Sequence, residues 1–294
     1  IIMLFFFFDE GGKTFLIGLD PGFGLLDPEA REGTRAVGPL ISIWFAVFIV
    51  PYFMWVREKK TPGTKGSFRQ SVGELRQSLK DMIKRPSFFA FMGAQMFYRD
   101  ALNGLYAFGG VYAVLVLGWG QTQLGVFGVL SSMSAALVTW ISGKYDRKLG
   151  PLPVIQLHVF VLIIVSICIV ALSRTSFFGF PLAEGSSFPD ILLYICGAAI
   201  GGSGGGIYAA SRSLMVRHIN PKRPTEAFAL FSLSGKATSF LAPLLIGIFT
   251  YWLNDVRLGF TPIVGLFVLG WFLLRWVNPE GDQTELNTSS KVTY

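Results

Sequence analysis

Residues 152–172 read LPVIQLHVFVLIIVSICIVAL, a block of 21 residues without a charged side chain. A transmembrane helix needs about 20 mostly apolar residues to cross the hydrocarbon core of a bilayer, so this block predicts one complete membrane span. Other blocks of the same character lie on both sides of it. The seven predicted spans are residues 36–56, 88–117, 121–142, 152–172, 190–212, 226–252 and 258–277.

The composition of the whole chain also indicates a membrane protein. Its 294 residues are 52% hydrophobic, include 28 Phe and are only 15% charged, whereas about 25% of residues are charged in an ordinary soluble domain. The formal net charge of +7 lies in short loops between apolar blocks, a pattern that does not suit a nucleic-acid partner. The predicted fold class is therefore all-α, a polytopic membrane helical bundle whose partner is the lipid bilayer.

The charges of the loops predict the orientation of the spans, because cytoplasmic loops carry an excess of Lys and Arg. Residues 57–86 contain nine Lys/Arg against three Asp/Glu, whereas residues 9–35 contain six acids against three bases. The loops after residues 142 and 212 are also basic. We expect these basic loops on the cytoplasmic side and residues 9–35 on the opposite side.

The long basic loop is the natural division between two groups of spans. The chain opens with eight apolar residues, too few for a span, and we interpret them as the end of a further span. The expected domains are residues 1–56, the end of an N-terminal transmembrane bundle; 57–86, a basic cytoplasmic inter-bundle loop; 87–280, a C-terminal six-helix bundle; and 281–294, a polar tail.

Four segments carry a family resemblance. Residues 142–151, SGKYDRKLGP, are similar to the cytoplasmic loop signature of the major facilitator superfamily, G-x-x-x-D-R-x-G-x-[RK], but Gly143 lies three residues before Asp146 and the closing basic residue is absent. Three others together resemble the vacuole-effluxer-like family of major facilitator permeases. These are FYRDALNG at 97–104, ASRSLM at 210–215 followed by Pro221 and Glu226, and FSLSGKAT at 231–238.

This resemblance extends over residues 36–277 and implies a major facilitator fold. It also implies a secondary transporter. We expect it to move a small polar solute by alternating access, with H+ as the coupling ion. Fungal members are associated with amino-acid efflux from the vacuole. We expect a bacterial cytoplasmic membrane, with the fungal vacuolar membrane as the alternative. No nucleophile set or metal-ligand cluster is recognisable in the sequence, so we expect neither an enzyme nor a metal or cofactor.

Ionisable residues inside a span are costly and usually face a bundle interior or an aqueous cavity. Arg99 and Asp100 lie about twelve residues into their span, roughly 18 Å from its end at 1.5 Å per residue. Gln95, Arg99, Asn103 and Tyr106 recur at spacings of four, four and three, which predicts a polar stripe on one helix face. We expect this stripe to line the solute path and Asp100 to carry the proton, since Arg stays charged. The alternative is that Arg99 and Asp100 form structural ion pairs with other helices and do not contact the solute.

A second intramembrane cation, Lys236, lies about 14 Å into its span and shares a face with Ser232 and Ser239. It would suit an anionic part of the solute or act as a countercharge for Asp100. Pro243 follows on the same face and predicts a kink, because proline removes one backbone hydrogen bond.

Four further residues are predicted to form a cytoplasmic gate, because they lie near the cytoplasmic ends of spans. They are Asp146, Arg147, Arg212 and Glu226. The alternatives are an ordinary positive-inside loop for the first pair and snorkelling side chains for the second.

The glycine repeat Gly197, Gly201 and Gly205 predicts close packing between helices. The rival function is a seven-span receptor or sensor, in which Lys236 could bear a Schiff-base chromophore. About five further spans upstream would support the transporter, whereas a nearby start codon would support the receptor.

Overall fold

The computed structural model describes residues 9–10, 13–14, 20, 24–27, 30, 32–56, 73, 85–219 and 224–281. Residues 1–8, most of the predicted inter-bundle loop at 57–86, and residues 282–294 of the predicted tail lie outside this described part. The chain forms two compact units, one of residues 1–70 and 121–129 and the other of residues 71–120 and 130–294.

The described residues are mainly α-helical. The helices are α1 Glu32–Trp55, α2 Pro86–Leu117, α3 Gln121–Leu149, α4 Pro151–Ala171, α5 Phe188–His218, α6 Pro224–Ala237, α7 Leu241–Leu253 and α8 Thr261–Leu273. Short 3₁₀ turns at Leu258–Phe260 and Leu274–Trp276 extend α8 at both ends. Within the described residues, seven helical segments are long and apolar enough to cross a membrane, with α6 and α7 forming one of them. The predicted all-α, seven-span architecture is therefore confirmed.

Two helices continue further than the hydropathy pattern predicts. We expected spans to end at residues 142 and 212, but α3 runs to Leu149 and α5 to His218. A helix does not stop where the bilayer core stops, because its backbone hydrogen bonds are internal and charged residues are tolerated beyond the hydrocarbon. The predicted loop around Asp146 is thus the last part of α3. Only Gly150, with φ of 85°, separates it from α4.

Two short antiparallel ribbons accompany the helices. Asp9–Glu10 (β1) pairs with Lys13–Thr14 (β2) in the first unit, and Ser176–Phe177 (β3) pairs with Phe180–Pro181 (β4) between α4 and α5. Phe178 and Gly179, the two turn residues of the second ribbon, have φ of 49° and 83°. A two-residue hairpin loop with positive φ at both positions matches the right-handed twist of its strands.

The core of the second unit lies around α2, which packs against α5, α6, α7 and α8. Proline at the start of α2 suits the first turn of a helix, and Gly118 ends it in the left-handed conformation. The fully buried side chains include Phe91, Tyr98 and Leu102 on this helix. Contacts of α2 with four other helices place its polar residues where several spans meet.

The span formed by α6 and α7 is broken at residues 238–240. The backbone there makes tight turns, with the Leu241 N–H donating to the Thr238 carbonyl at 2.7 Å. Pro243 has no N–H and its ring crowds the carbonyl four residues earlier, at Ser239. The α-helical hydrogen-bond pattern is therefore interrupted between α6 and α7, close to the proline from which a kink is predicted.

The glycines of α5 allow close approach of its neighbours. A Cβ at Gly201 would collide with the backbone carbonyl oxygen of Ser131 on α3, and one at Gly205 with the Thr139 hydroxyl. A Cβ at Gly206 would collide with the imidazole of His158 on α4. The packing role predicted for Gly201 and Gly205 is therefore confirmed.

Candidate functional site

Arg99 lies half-buried on α2 between two aromatic rings. Its guanidinium carbon is 5.2 Å from the ring centre of Tyr208 on α5 and 5.8 Å from that of Phe231 on α6. A cation over an aromatic face is attracted by the ring quadrupole, so these rings hold the guanidinium in place. A Cβ at Gly235 would collide with Arg99, and the absence of a side chain there therefore makes room for it.

The guanidinium is only partly satisfied by its neighbours. Its Nε is buried and has no hydrogen-bond partner among the residues that the structure describes. A buried donor without an acceptor costs free energy comparable to a lost hydrogen bond, and more when it is charged. The site is therefore suited to an added acceptor group.

Neutral polar groups continue from Arg99 along α2. The Tyr208 hydroxyl donates to the Oδ1 of Asn103 at 3.3 Å. Tyr106 is 47% exposed, and a Cβ at Gly204 would collide with its hydroxyl. We call this group the Arg99 site, made of Arg99, Asn103, Tyr106, Tyr208, Phe231 and Gly235.

Gln95 does not share this environment, although the sequence places it on the same stripe. It is fully buried, and its Nε2 donates to the Phe231 carbonyl at 2.7 Å and to the Ser234 hydroxyl at 3.1 Å. These bonds join α2 to α6 and position Phe231. In the structure Gln95 therefore stabilises the position of Phe231 in the Arg99 site and has no exposed surface of its own.

Asp100 points to the other half of the broken span. It is only 1% exposed, and its Oδ2 accepts a 2.9 Å hydrogen bond from the backbone N–H of Ala242 in the first turn of α7. Its Oδ1 has no hydrogen-bond partner within the described part of the chain. Among the described residues, neither Arg99 nor Asp100 forms an ion pair with a residue of another helix.

The other predicted residues of the α6–α7 span have exposed side chains. They are Ser232, Lys236 and Ser239. The partner observed for Asp100 is a backbone amide, so the structure does not bring Lys236 to it as a countercharge.

A family model described as "Vacuole effluxer Atg22 like" matches residues 27–287. The chain belongs to this family. The resemblance to the vacuole-effluxer-like family, inferred from three sequence segments, is therefore confirmed.

The Atg22-like family includes bacterial and fungal relatives. The chain is 25% identical over 254 residues to "Uncharacterized MFS-type transporter YxiO" of Bacillus subtilis, covering 84% of this chain and 54% of that protein. It is 22% identical over 245 residues to "Autophagy-related protein 22" of Cryptococcus neoformans, covering 80% and 42%. It is also 22% identical over 287 residues to "Autophagy-related protein 22-1" of Aspergillus fumigatus, covering 88% of this chain and 46% of that protein.

The chain thus spans about half the length of the curated relatives that it matches. No solved structure matches it.

Three of the four predicted gate residues of this Atg22-like chain have side chains that the structure describes. Asp146 is half-buried and Arg147 exposed in the last turns of α3, and Arg212 is exposed on α5. The side chain of Glu226 lies outside the described residues. Among the three that are described, no ion pair is formed, and the gate stays a prediction.

Sequence reasoning missed Tyr208, Phe231, Gly235 and Ala242. Tyr208 could have been found, because it is a tyrosine inside a glycine-rich span, four residues before Arg212. Gly235 directly precedes an intramembrane lysine, which is a weaker signal. Ala242 gives no signal of its own, because it contributes a backbone N–H that every residue except proline has.

Proposed function

We propose that this chain is part of a secondary transporter that moves a small solute with a carboxylate group by alternating access. Membership of the Atg22-like family supports membrane transport, and the word "effluxer" in the family's description supports outward movement. Amino acids are the first solutes to test. Such transporters have one binding site that opens alternately to either side of the membrane.

The observation that carries this proposal is the buried, unpartnered Nε of Arg99. A guanidinium presents donors in a fixed fork that matches the two oxygens of a carboxylate. The Tyr208 and Phe231 rings fix the plane of this fork, and a solute carboxylate would supply the missing acceptor. Asn103 and Tyr106 offer neutral hydrogen bonds for the rest of the solute.

In the same proposal Asp100 carries the coupling proton. It is the buried carboxylate next to Arg99, and a carboxylate can take up and release a proton, whereas Arg stays charged. Ser232, Lys236 and Ser239 are kept as further residues of the solute path, and Asp146, Arg147, Arg212 and Glu226 as the cytoplasmic gate.

We place the protein in a bacterial cytoplasmic membrane, with a fungal vacuolar membrane as the alternative. An integral location is given by the apolar helices. The choice between the two membranes follows the match to the Bacillus subtilis relative, 25% identical over 84% of the chain, compared with 22% over 80% for the Cryptococcus neoformans relative.

The experiment is flux of a labelled amino-acid mixture through the full-length protein in proteoliposomes with an imposed pH gradient. We compare the wild type with Arg99→Gln, Asp100→Asn and, as a control on an exposed arginine without an assigned role, Arg275→Gln. Flux that follows the gradient and is lost in both Arg99→Gln and Asp100→Asn supports the proposal.

Other outcomes of this experiment are equally informative. Flux that survives unchanged in Asp100→Asn would remove Asp100 as the proton carrier, and flux that survives in Arg99→Gln would remove the Arg99 site. Absence of flux for every solute, with a correctly folded protein, would favour the receptor or sensor function.

A further inference from the structure

Two adjacent residues of α2 contact the two halves of the broken span. Arg99 lies against Phe231 and Gly235 of α6, and Asp100 bonds to Ala242 of α7. The interruption at residues 238–240 lies between these contacts. Any change in the angle between α6 and α7 must therefore alter the surroundings of Arg99, of Asp100, or of both.

The contact of Asp100 with α7 is electrostatically favourable when the carboxylate is ionised. The first N–H groups of a helix have no partner within the helix and carry a partial positive charge. Asp100 accepts from one of them with Oδ2. A hydrogen bond to an ionised acceptor is roughly twice as strong as one between neutral groups.

The same carboxylate has an oxygen that is free to receive a proton. Oδ1 of Asp100 is buried without a hydrogen-bond partner in the described residues, and so is the Oγ1 of Thr238 in the interruption itself. Two unsatisfied polar atoms at one hinge are costly in this conformation. Such a hinge is suited to a second arrangement in which these atoms are satisfied.

We propose that Asp100 is a proton-operated latch for the broken span. When ionised, it holds the start of α7 against α2. When a proton from water binds to Oδ1, the bond from Ala242 to Oδ2 loses its charge assistance, and the segment at residues 238–240 is released. The step consumes one proton and breaks no covalent bond.

The latch explains how a proton could act on the solute. Release at residues 238–240 lets α6 move relative to α7, and α6 carries Phe231 and Gly235 of the Arg99 site. Proton uptake at Asp100 would thus reshape the place where the carboxylate binds. This consequence rests on the proposed transport function, whereas the latch itself does not.

Charged and titratable residues occur on α2 and on three of the helices packed against it. They are Tyr98, Arg99 and Tyr106 near Asp100 on α2, Tyr208, Arg212, Arg217 and His218 in the second half of α5, Glu226 and Lys236 on α6, and Tyr251 on α7. The helix α8, which also packs against α2, has none between Thr261 and Leu273. In the described part of the molecule, the hydrogen bond made by Asp100 goes to the Ala242 amide and not to any of these groups.

The test is hydrogen–deuterium exchange of the segment 238–246 in the full-length protein, corrected for the intrinsic effect of pH on exchange. On acidification we expect protection of the wild-type segment to fall on the order of fivefold, because the charge-assisted bond is lost. Asp100→Asn, which keeps an acceptor oxygen but cannot ionise, should show the weaker protection at every pH and no step. Asp190→Asn, the same change in the first turn of α5, should keep the step.

The latch is overturned if wild type shows no step, or if Asp100→Asn keeps the same step. If Asp100→Asn does not fold, infrared spectroscopy of the wild type as a function of pH tests the latch. Proton uptake should then produce the C=O band of a buried carboxylic acid over the pH range in which protection falls. Loss of protection without that band would overturn the latch.

These measurements need no solute and no flux. A protein that keeps the exchange step but transports nothing would retain the latch and lose the proposed function. A protein that transports the solute but lacks the exchange step would retain the proposed function and lose the latch.

Discussion

The carboxylate of Asp100 and the backbone amide of Ala242 are joined by a 2.9 Å hydrogen bond. One turn further along α2, Gly104 faces the same residue of α7. A Cβ built at Gly104 would stand 2.9 Å from the Cβ of Ala242 and 3.4 Å from Cδ1 of Ile263. The hydrogen bond therefore depends on a close helix contact that only glycine at position 104 permits.

The first prediction concerns this contact. Gly104→Ala should lower the thermal stability of the protein and weaken protection of the Ala242 amide, because overpacking a filled site costs about 1–3 kcal/mol. Gly109→Ala on the same helix is the control, since a Cβ there meets nothing within 4 Å and alanine favours the helix by roughly 0.5–1 kcal/mol. Equal melting temperatures for the two variants would contradict the close contact.

The sequence was sufficient to predict the number of spans and the break near Pro243. Both follow from local chemistry, because a long apolar block must be helical in lipid and proline removes a backbone hydrogen bond. It was also sufficient to single out Arg99 and Asp100, because charges inside an apolar block are conspicuous.

The sequence was not sufficient to predict what these two residues contact. Successive residues of a helix point about 100° apart, so Arg99 and Asp100 face different neighbours, and the packing of α5, α6 and α7 decides which. The same holds for Gln95, which the stripe predicted on a solute path and which is buried against Phe231. Backbone partners such as Ala242 carry no side-chain signal.

The second prediction concerns the chemistry of the Arg99 site. Arg99→Lys keeps the charge but loses the flat, five-donor fork that the Tyr208 and Phe231 rings enclose. Affinity for a carboxylate solute should fall by about tenfold or more, since a bidentate charge-assisted pair becomes a single contact. Binding can be measured by scintillation proximity on purified protein. The exposed Arg275→Lys should bind like wild type, and equal affinity of both variants would exclude the Arg99 site.

The third prediction concerns the packing of α5 on α3. Gly201→Ala should destabilise the protein, because the new Cβ collides with the Ser131 carbonyl, a backbone atom that cannot rotate away. A loss of about 1–3 kcal/mol is expected from overpacking. Gly247→Ala on α7 adds the same methyl where nothing lies within 4 Å. Thermal unfolding in detergent should separate the two, and an unchanged transition for Gly201→Ala would show that the helices are further apart.

The last prediction concerns acid stability at the loop between α7 and α8. Burial acts to raise the pKa of Asp255, but hydrogen bonds and the positive charge of Arg257, with the backbone of Leu258, outweigh it and hold that pKa below its usual value. A group with a lowered folded pKa contributes stability above its unfolded pKa of about 4, and this is lost as pH falls through the folded value. Since the pair is about one-third exposed, its contribution is at most about 1 kcal/mol.

Asp255→Asn should therefore lower the melting temperature slightly at pH 7 and reduce its decline below pH 4. Glu184→Gln in the loop before α5 is the control and should follow wild type. If the melting temperature declines identically with acid in Asp255→Asn and wild type, the Asp255–Arg257 pair does not stabilise the folded protein.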